Sequence, residues 1–143
     1  MSSQEGQGAT LSIVDPGKGE VLGCRFGAPL EFVSSRWPGG HVMRGGAGAL
    51  NYTLTQVVGR CAARLRVRYQ FVDDAMVLVS LRAATELHDG LGRHAYQRVA
   101  EEVLKVLASE PALRDEGYAE YDVGVTRVVF DGLDAEIRFE ERP

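Results

Sequence analysis

The stretch RLRVRYQFV, residues 64–72, sets Arg64, Arg66 and Arg68 at every second position, alternating with Leu65, Val67, Tyr69 and Phe71. A two-residue period is that of an extended strand, so three guanidinium groups share one face and the apolar side chains share the other. Guanidinium groups arrayed this way bind phosphates and carboxylates through forked, charge-assisted hydrogen bonds. A second cationic feature lies upstream. PGGHVMRGGAG, residues 38–48, holds five glycines, His41 and Arg44 and no acid, and Arg36 stands just before it. Glycine lets a backbone approach a ligand closely and aim several N–H groups at an anion. The expected ligand-binding set is therefore Arg36, His41, Arg44, Arg64, Arg66 and Arg68.

Each feature also has a plainer explanation. The arginines of a strand are commonly neutralised by carboxylates on a neighbouring strand, and the acidic outer face of the last strand is the candidate. The glycines suit ordinary turns. Their spacing matches neither a Walker A loop nor a dinucleotide fingerprint, since no G-K-[ST] and no G-x-G-x-x-G occurs.

Acid–base chemistry has fewer candidates. His41, His88 and Asp89 form a weak catalytic set, with Asp89 placed to orient His88. His88 and His94 lie six residues apart, which is not the spacing of two ligands on one helix face, and no metal site or cofactor is expected. Cys24 and Cys61 form no C-x-x-C pair and sit in no recognisable dyad.

The distribution of charge favours the binding reading. The net charge is −4 over 143 residues. Residues 32–72 nevertheless carry Arg36, Arg44, Arg60, Arg64, Arg66 and Arg68 and no carboxylate, whereas the chain from residue 73 onward is strongly acidic. An acidic chain whose strand aromatics face away from its arginines is a poor match to nucleic acid. Apolar runs are far shorter than the roughly 20 residues a bilayer requires, and the polar start MSSQEGQGAT lacks a secretory h-region. The expectation is a cytoplasmic protein, no membrane contact, both cysteines as thiols, and a homodimer.

The elements that must position these residues are legible in part. Residues 1–9 read as a flexible tail and 10–143 as a single α+β domain. TLSIVD-PGKG-EVLGCRF predicts a hairpin, and LEFVSS from Leu30 a further short strand. GALNYTLTQVVGR fits two periods. Alternation of Leu50, Tyr52 and Leu54 suggests a strand, and the stripe Leu50, Leu54, Val57 and Val58 suggests a helix. A β-α-β-β-α-β order favours a second helix over about 47–58. MVLVSLRAA pairs with the arginine strand after Asp73-Asp74. The register that keeps one face apolar sets Leu65, Val67, Tyr69 and Phe71 opposite Ala83, Leu81, Val79 and Val77, and it places Arg66 opposite Arg82. That register leaves Met76, Leu78 and Ser80 on the arginine face.

From about 93 to 109 the pattern becomes that of an amphipathic helix, with Tyr96, Val99, Ala100, Val103, Val106 and Leu107 in one stripe and Arg98–Glu102 and Glu101–Lys105 as solvent-side pairs. Asp131-Gly132 predicts a two-residue turn within a final hairpin whose Ala135, Ile137 and Phe139 face inward. The fold class expected is a mostly antiparallel sheet with this helix packed on one face. The function expected is a non-enzymatic module that recognises an anionic ligand or an acidic protein partner. A small enzyme using His41, His88 and Asp89, and a self-associating protein without a ligand, are the alternatives.

Overall fold

The computed structural model describes residues 13–84 and 91–143. The tail expected over 1–9, together with His88 and Asp89, lies outside the described residues. The fold is α+β. A small antiparallel sheet comes first: β1 (Val14–Asp15), β2 (Glu20–Val21) and β3 (Cys24–Arg25). Helix α1 (Leu30–Arg36) follows, then β4 (His41–Arg44), β5 (Leu50–Val58), β6 (Ala63–Val72) and β7 (Ala75–Ala83). Helix α2 (Leu91–Leu107) leads to β8 (Leu113–Asp115), β9 (Tyr118–Val123), β10 (Thr126–Asp131) and β11 (Glu136–Glu141). The large sheet has the order β4-β5-β6-β7-β11-β10-β9-β8, antiparallel throughout. It is two four-stranded meanders joined where β7 meets β11.

One face of this sheet is the core. Leu65, Val67, Tyr69 and Phe71 of β6 are fully buried with Val79 and Leu81 of β7 and Ile137 and Phe139 of β11. Helix α2 lies across them through Tyr96, Val99, Val103 and Leu107, as its 3.6-residue stripe dictates. Val106 turns outward. The small sheet and α1 complete the cover through Ile13, Val14, Val21, Cys24 and Val33. The turn between β9 and β10 ties the two sheets together. Thr126 Oγ1 and the Val125 N–H both donate to the Pro16 carbonyl, at 2.9 and 3.2 Å. A Cβ on Gly124, whose φ is +58°, would lie 2.8 Å from Gly17 Cα, so only glycine permits that approach.

Several local expectations are corrected. Residues 47–58 are not a helix. A short 3-10 turn spans Gly46–Gly48, and β5 then runs for nine residues beside β6. The helical stripe required Val57 inward, yet Val57 is 58% exposed, whereas Tyr52, Gln56 and Val58 are buried at strand spacing. The β-branched and aromatic content of the segment decided the outcome. Leu30–Ser34 is helical rather than extended. Leu30, Val33 and Trp37 lie at i, i+3 and i+7 and pack on the core together.

The glycine segment 38–48 is mostly the edge strand β4 with turns on either side. Gly40 sits beneath Tyr52, donating its N–H to Oη at 2.9 Å, where a Cβ would fall 2.5 Å from the ring. Asp131-Gly132 opens a four-residue connection, because Asp131 pairs with Glu136. Asp131 Oδ1 accepts the N–H groups of Leu133 and Asp134 and so folds the chain into the longer loop.

The β6–β7 register follows the apolar pairing over most of its length, while the tight turn at its end imposes another. Leu65, Val67 and Tyr69 face Ala83, Leu81 and Val79, but Phe71 faces Met76. A bulge reconciles them: Asp73-Asp74 forms a two-residue turn, and one extra residue at Val77 restores the apolar register beyond it. Met76 is consequently buried in the core rather than placed among the arginines. Arg98 and Glu102 do not form the expected pair. Both hold the β5–β6 turn, Glu102 accepting the N–H groups of Arg60 and Cys61 and Arg98 donating to the Cys61 carbonyl.

Candidate functional site: an open arginine face

Because strand side chains alternate, the residues between the core positions of the large sheet line its opposite face. Neither α2 nor the small sheet covers that face. Cross-strand pairing there sets Thr55, Arg66, Arg82 and Glu136 in one row, and His41, Thr53, Arg68, Ser80 and Arg138 in the next. Arg66, Arg68, Arg82, Thr53, Ser80 and Glu136 line a shallow depression of about 140 Å³. The depression has room for several waters at about 30 Å³ each, but it is smaller than the roughly 300 Å³ where drug-sized pockets begin. It suits one compact group.

The electrostatics of the depression follow from its hydrogen bonds. Arg66 and Arg82 are directly opposed, a repulsive pairing. The acidic last strand does lie beside β7, and Glu136 is in register with Arg82. Glu136 nevertheless does not neutralise it. Its Oε2 accepts the Ser80 hydroxyl at 2.6 Å, and its Oε1 accepts Arg138 Nη1 at 3.2 Å. Glu140 is likewise held by Arg138, and Asp122 by Arg127 and Arg142. The Asp122 carboxylate also holds the Arg127 guanidinium above its ordinary pKa. Glu120, Asp122, Glu136 and Glu140 thus pair with arginines of their own half of the sheet or of the segment that follows it. Among the described residues, Arg64, Arg66, Arg68 and Arg82 have no ion-pair partner. Arg68 Nε is buried and has no hydrogen-bond partner.

The six residues singled out from the sequence separate. Arg66 and Arg68 line the depression, and Arg64 extends the same face one pair further along β6. His41 shares the face at its edge, beyond Thr53. Arg44 pairs with Leu50 and therefore projects from the opposite face. Arg36 lies at the end of α1, its guanidinium 4.8 Å from the centre of the Trp37 ring and over Gly23, where a Cβ would lie 3.1 Å from Nε. Arg82, Ser80 and Thr53 join the site without having been singled out by sequence. The Arg66–Arg82 register points to the first, and the hairpin places the second. Nothing marks Thr53 while its segment reads as helix.

Of the catalytic set, His88 and Asp89 lie outside the described residues. His41 is exposed on an edge strand. Burial pushes the Cys24 thiol up to about 11, and burial also raises that of Cys61, so neither is a thiolate near neutral pH. No group of three or more His, Cys, Asp or Glu among the described residues is arranged to hold a metal. No helix among them is long and apolar enough to cross a membrane. Comparison with protein families, with characterised proteins and with solved structures gives no match.

Proposed function

We propose that the protein is a non-enzymatic cytosolic module that recognises a compact, multiply charged oxyanion of the phosphate type on this open face. Arg66 and Arg82 clasp the anion from adjacent strands. Arg68 contributes from below, and the Thr53 hydroxyl supplies a further donor. The observation that carries the reading is the double engagement of Glu136 by Ser80 and Arg138, which leaves two opposed arginines beside it without a counter-charge among the described residues. A bound anion removes their repulsion, and the partial burial of Arg68 strengthens the charge-assisted bond that it makes. Among the described residues no exposed aromatic lines the depression, so none of them offers a nucleobase a ring to stack on.

Titration with inorganic pyrophosphate and phosphate by calorimetry tests this. Saturable binding is expected, weakening as salt rises. Arg66→Ala and Arg82→Ala should each weaken it about tenfold to a hundredfold, the range of one charge-assisted hydrogen bond. Arg44→Ala, on the other face, should bind as the parent does. Absence of binding, or equal binding by all three variants, overturns the reading.

A further inference from the structure

The open face is polarised as well as charged. Strands β5, β6 and β7 present Arg64, Arg66, Arg68 and Arg82 with no carboxylate. Strands β11, β10, β9 and β8 present Glu136, Glu140, Asp131, Glu120, Asp122 and Asp115, offset only by Arg138 and Arg127. The boundary between the halves runs along the β7–β11 seam, near the middle of the sheet.

We infer that this face is self-complementary and that its macromolecular partner is a second copy of the chain. The inference rests on the anion reading for the availability of Arg66 and Arg82. The two sheets pack face to face about a two-fold axis parallel to the strands and above the β7–β11 seam. That axis alone lays each basic half over the other copy's acidic half. An axis across the strands would set basic on basic. With the strand axis, Arg66 approaches Asp131 of the second copy, which accepts in its own chain through Oδ1 alone, and Arg82 lies over Glu136, because these residues share one cross-strand row. Such an interface is isologous, so every contact occurs twice. Eight strands at about 4.8 Å, each about six residues long, give a footprint of roughly 750 Å² per copy, near the about 800 Å² that one partner contributes to a stable interface. Dimer and oxyanion use the same guanidinium groups, so each must weaken the other.

Sedimentation of the wild-type protein is the first measurement. A dimer at low salt is expected, with its dissociation constant rising at least tenfold at high salt and again on addition of pyrophosphate. Arg66→Glu with Arg82→Glu makes the face net acidic, and Glu120→Lys with Glu140→Lys makes it more basic. Each should be monomeric alone, and the two mixed should form a heterodimer. A wild-type monomer at every salt concentration overturns the inference even if pyrophosphate binds. A dimer indifferent to salt and to these substitutions overturns it as well. A salt-sensitive dimer with no pyrophosphate response leaves the interface standing and removes the oxyanion.

Discussion

Cys24 has no exposed surface, and desolvation, the largest influence on it, raises its thiol to about 11 from an ordinary 9.0. The nearby Arg36 opposes that rise only in part. Between these values the unfolded chain loses the proton while the folded chain keeps it, so the unfolded state binds fewer protons and stability falls as pH rises. Below pH 9 the contribution is fully present, and above about 11 it is gone. Its full size is on the order of 3 kcal/mol, because each tenfold change in an ionisation equilibrium is worth about 1.4 kcal/mol. Denaturant unfolding from pH 8 to 11 should show a decline that is shallower in Cys24→Ala, although that variant starts lower because it leaves a small cavity. Identical slopes in the two proteins would sink this account. The same burial should keep Cys24 unreactive toward alkylating agents at neutral pH while the protein is folded.

At the scale of elements, the two-residue turn Asp73-Asp74 joins parts of the fold distant in sequence. Both residues have positive φ, 52° and 58°, as a type I′ turn requires. Asp74 Oδ1 accepts the Leu30 N–H at 3.1 Å, satisfying a donor at the start of α1 from 44 residues away. Asp74→Ala should lose that bond and strain the turn, costing about 1–2 kcal/mol in urea unfolding. Asp74→Asn keeps an acceptor and tolerates the conformation, so it should recover most of the loss. An alanine variant as stable as the parent would refute the coupling.

This turn also explains what the sequence makes legible. The arginine strand, the core helix and the apolar register of β6 against β7 follow from periodicity within a single element. The helical state of Leu30–Arg36 depends on a remote aspartate and on burial of Val33 against the small sheet, neither of which local spacing reports. The strand at Leu50–Val58 reads as a helix only when a topological preference is set above β-branched content. For the site, alternation exposes Arg66 and Arg68. Arg36 and Arg44 group with them only by closeness along the chain, which a sheet does not preserve.

At the scale of the molecule, the opposition of Arg66 and Arg82 is a fault in stability that lies where the anion is proposed to bind. Removing one charge should therefore help the fold and harm recognition. In dilute, anion-free buffer Arg82→Gln should be more stable than the parent by about 0.2–1 kcal/mol, the scale of a like-charge cross-strand pair. Pyrophosphate should raise the melting temperature of the parent and much less that of the variant, since a ligand stabilises only the state that binds it. A variant that is destabilised, or that gains as much from pyrophosphate, would separate the repulsion from the site. Such a trade between stability and recognition is common where a binding surface is held ready without its ligand.

The one-sided cover of the large sheet has a consequence for descent. Along β6, Leu65, Val67, Tyr69 and Phe71 answer to the interior, while Arg64, Arg66 and Arg68 answer only to whatever meets the surface. Selection can rewrite every second letter of this strand without disturbing its neighbours in the chain. Divergent kin would then keep one interleaved half of the message and exchange the other, changing their correspondents while retaining their architecture.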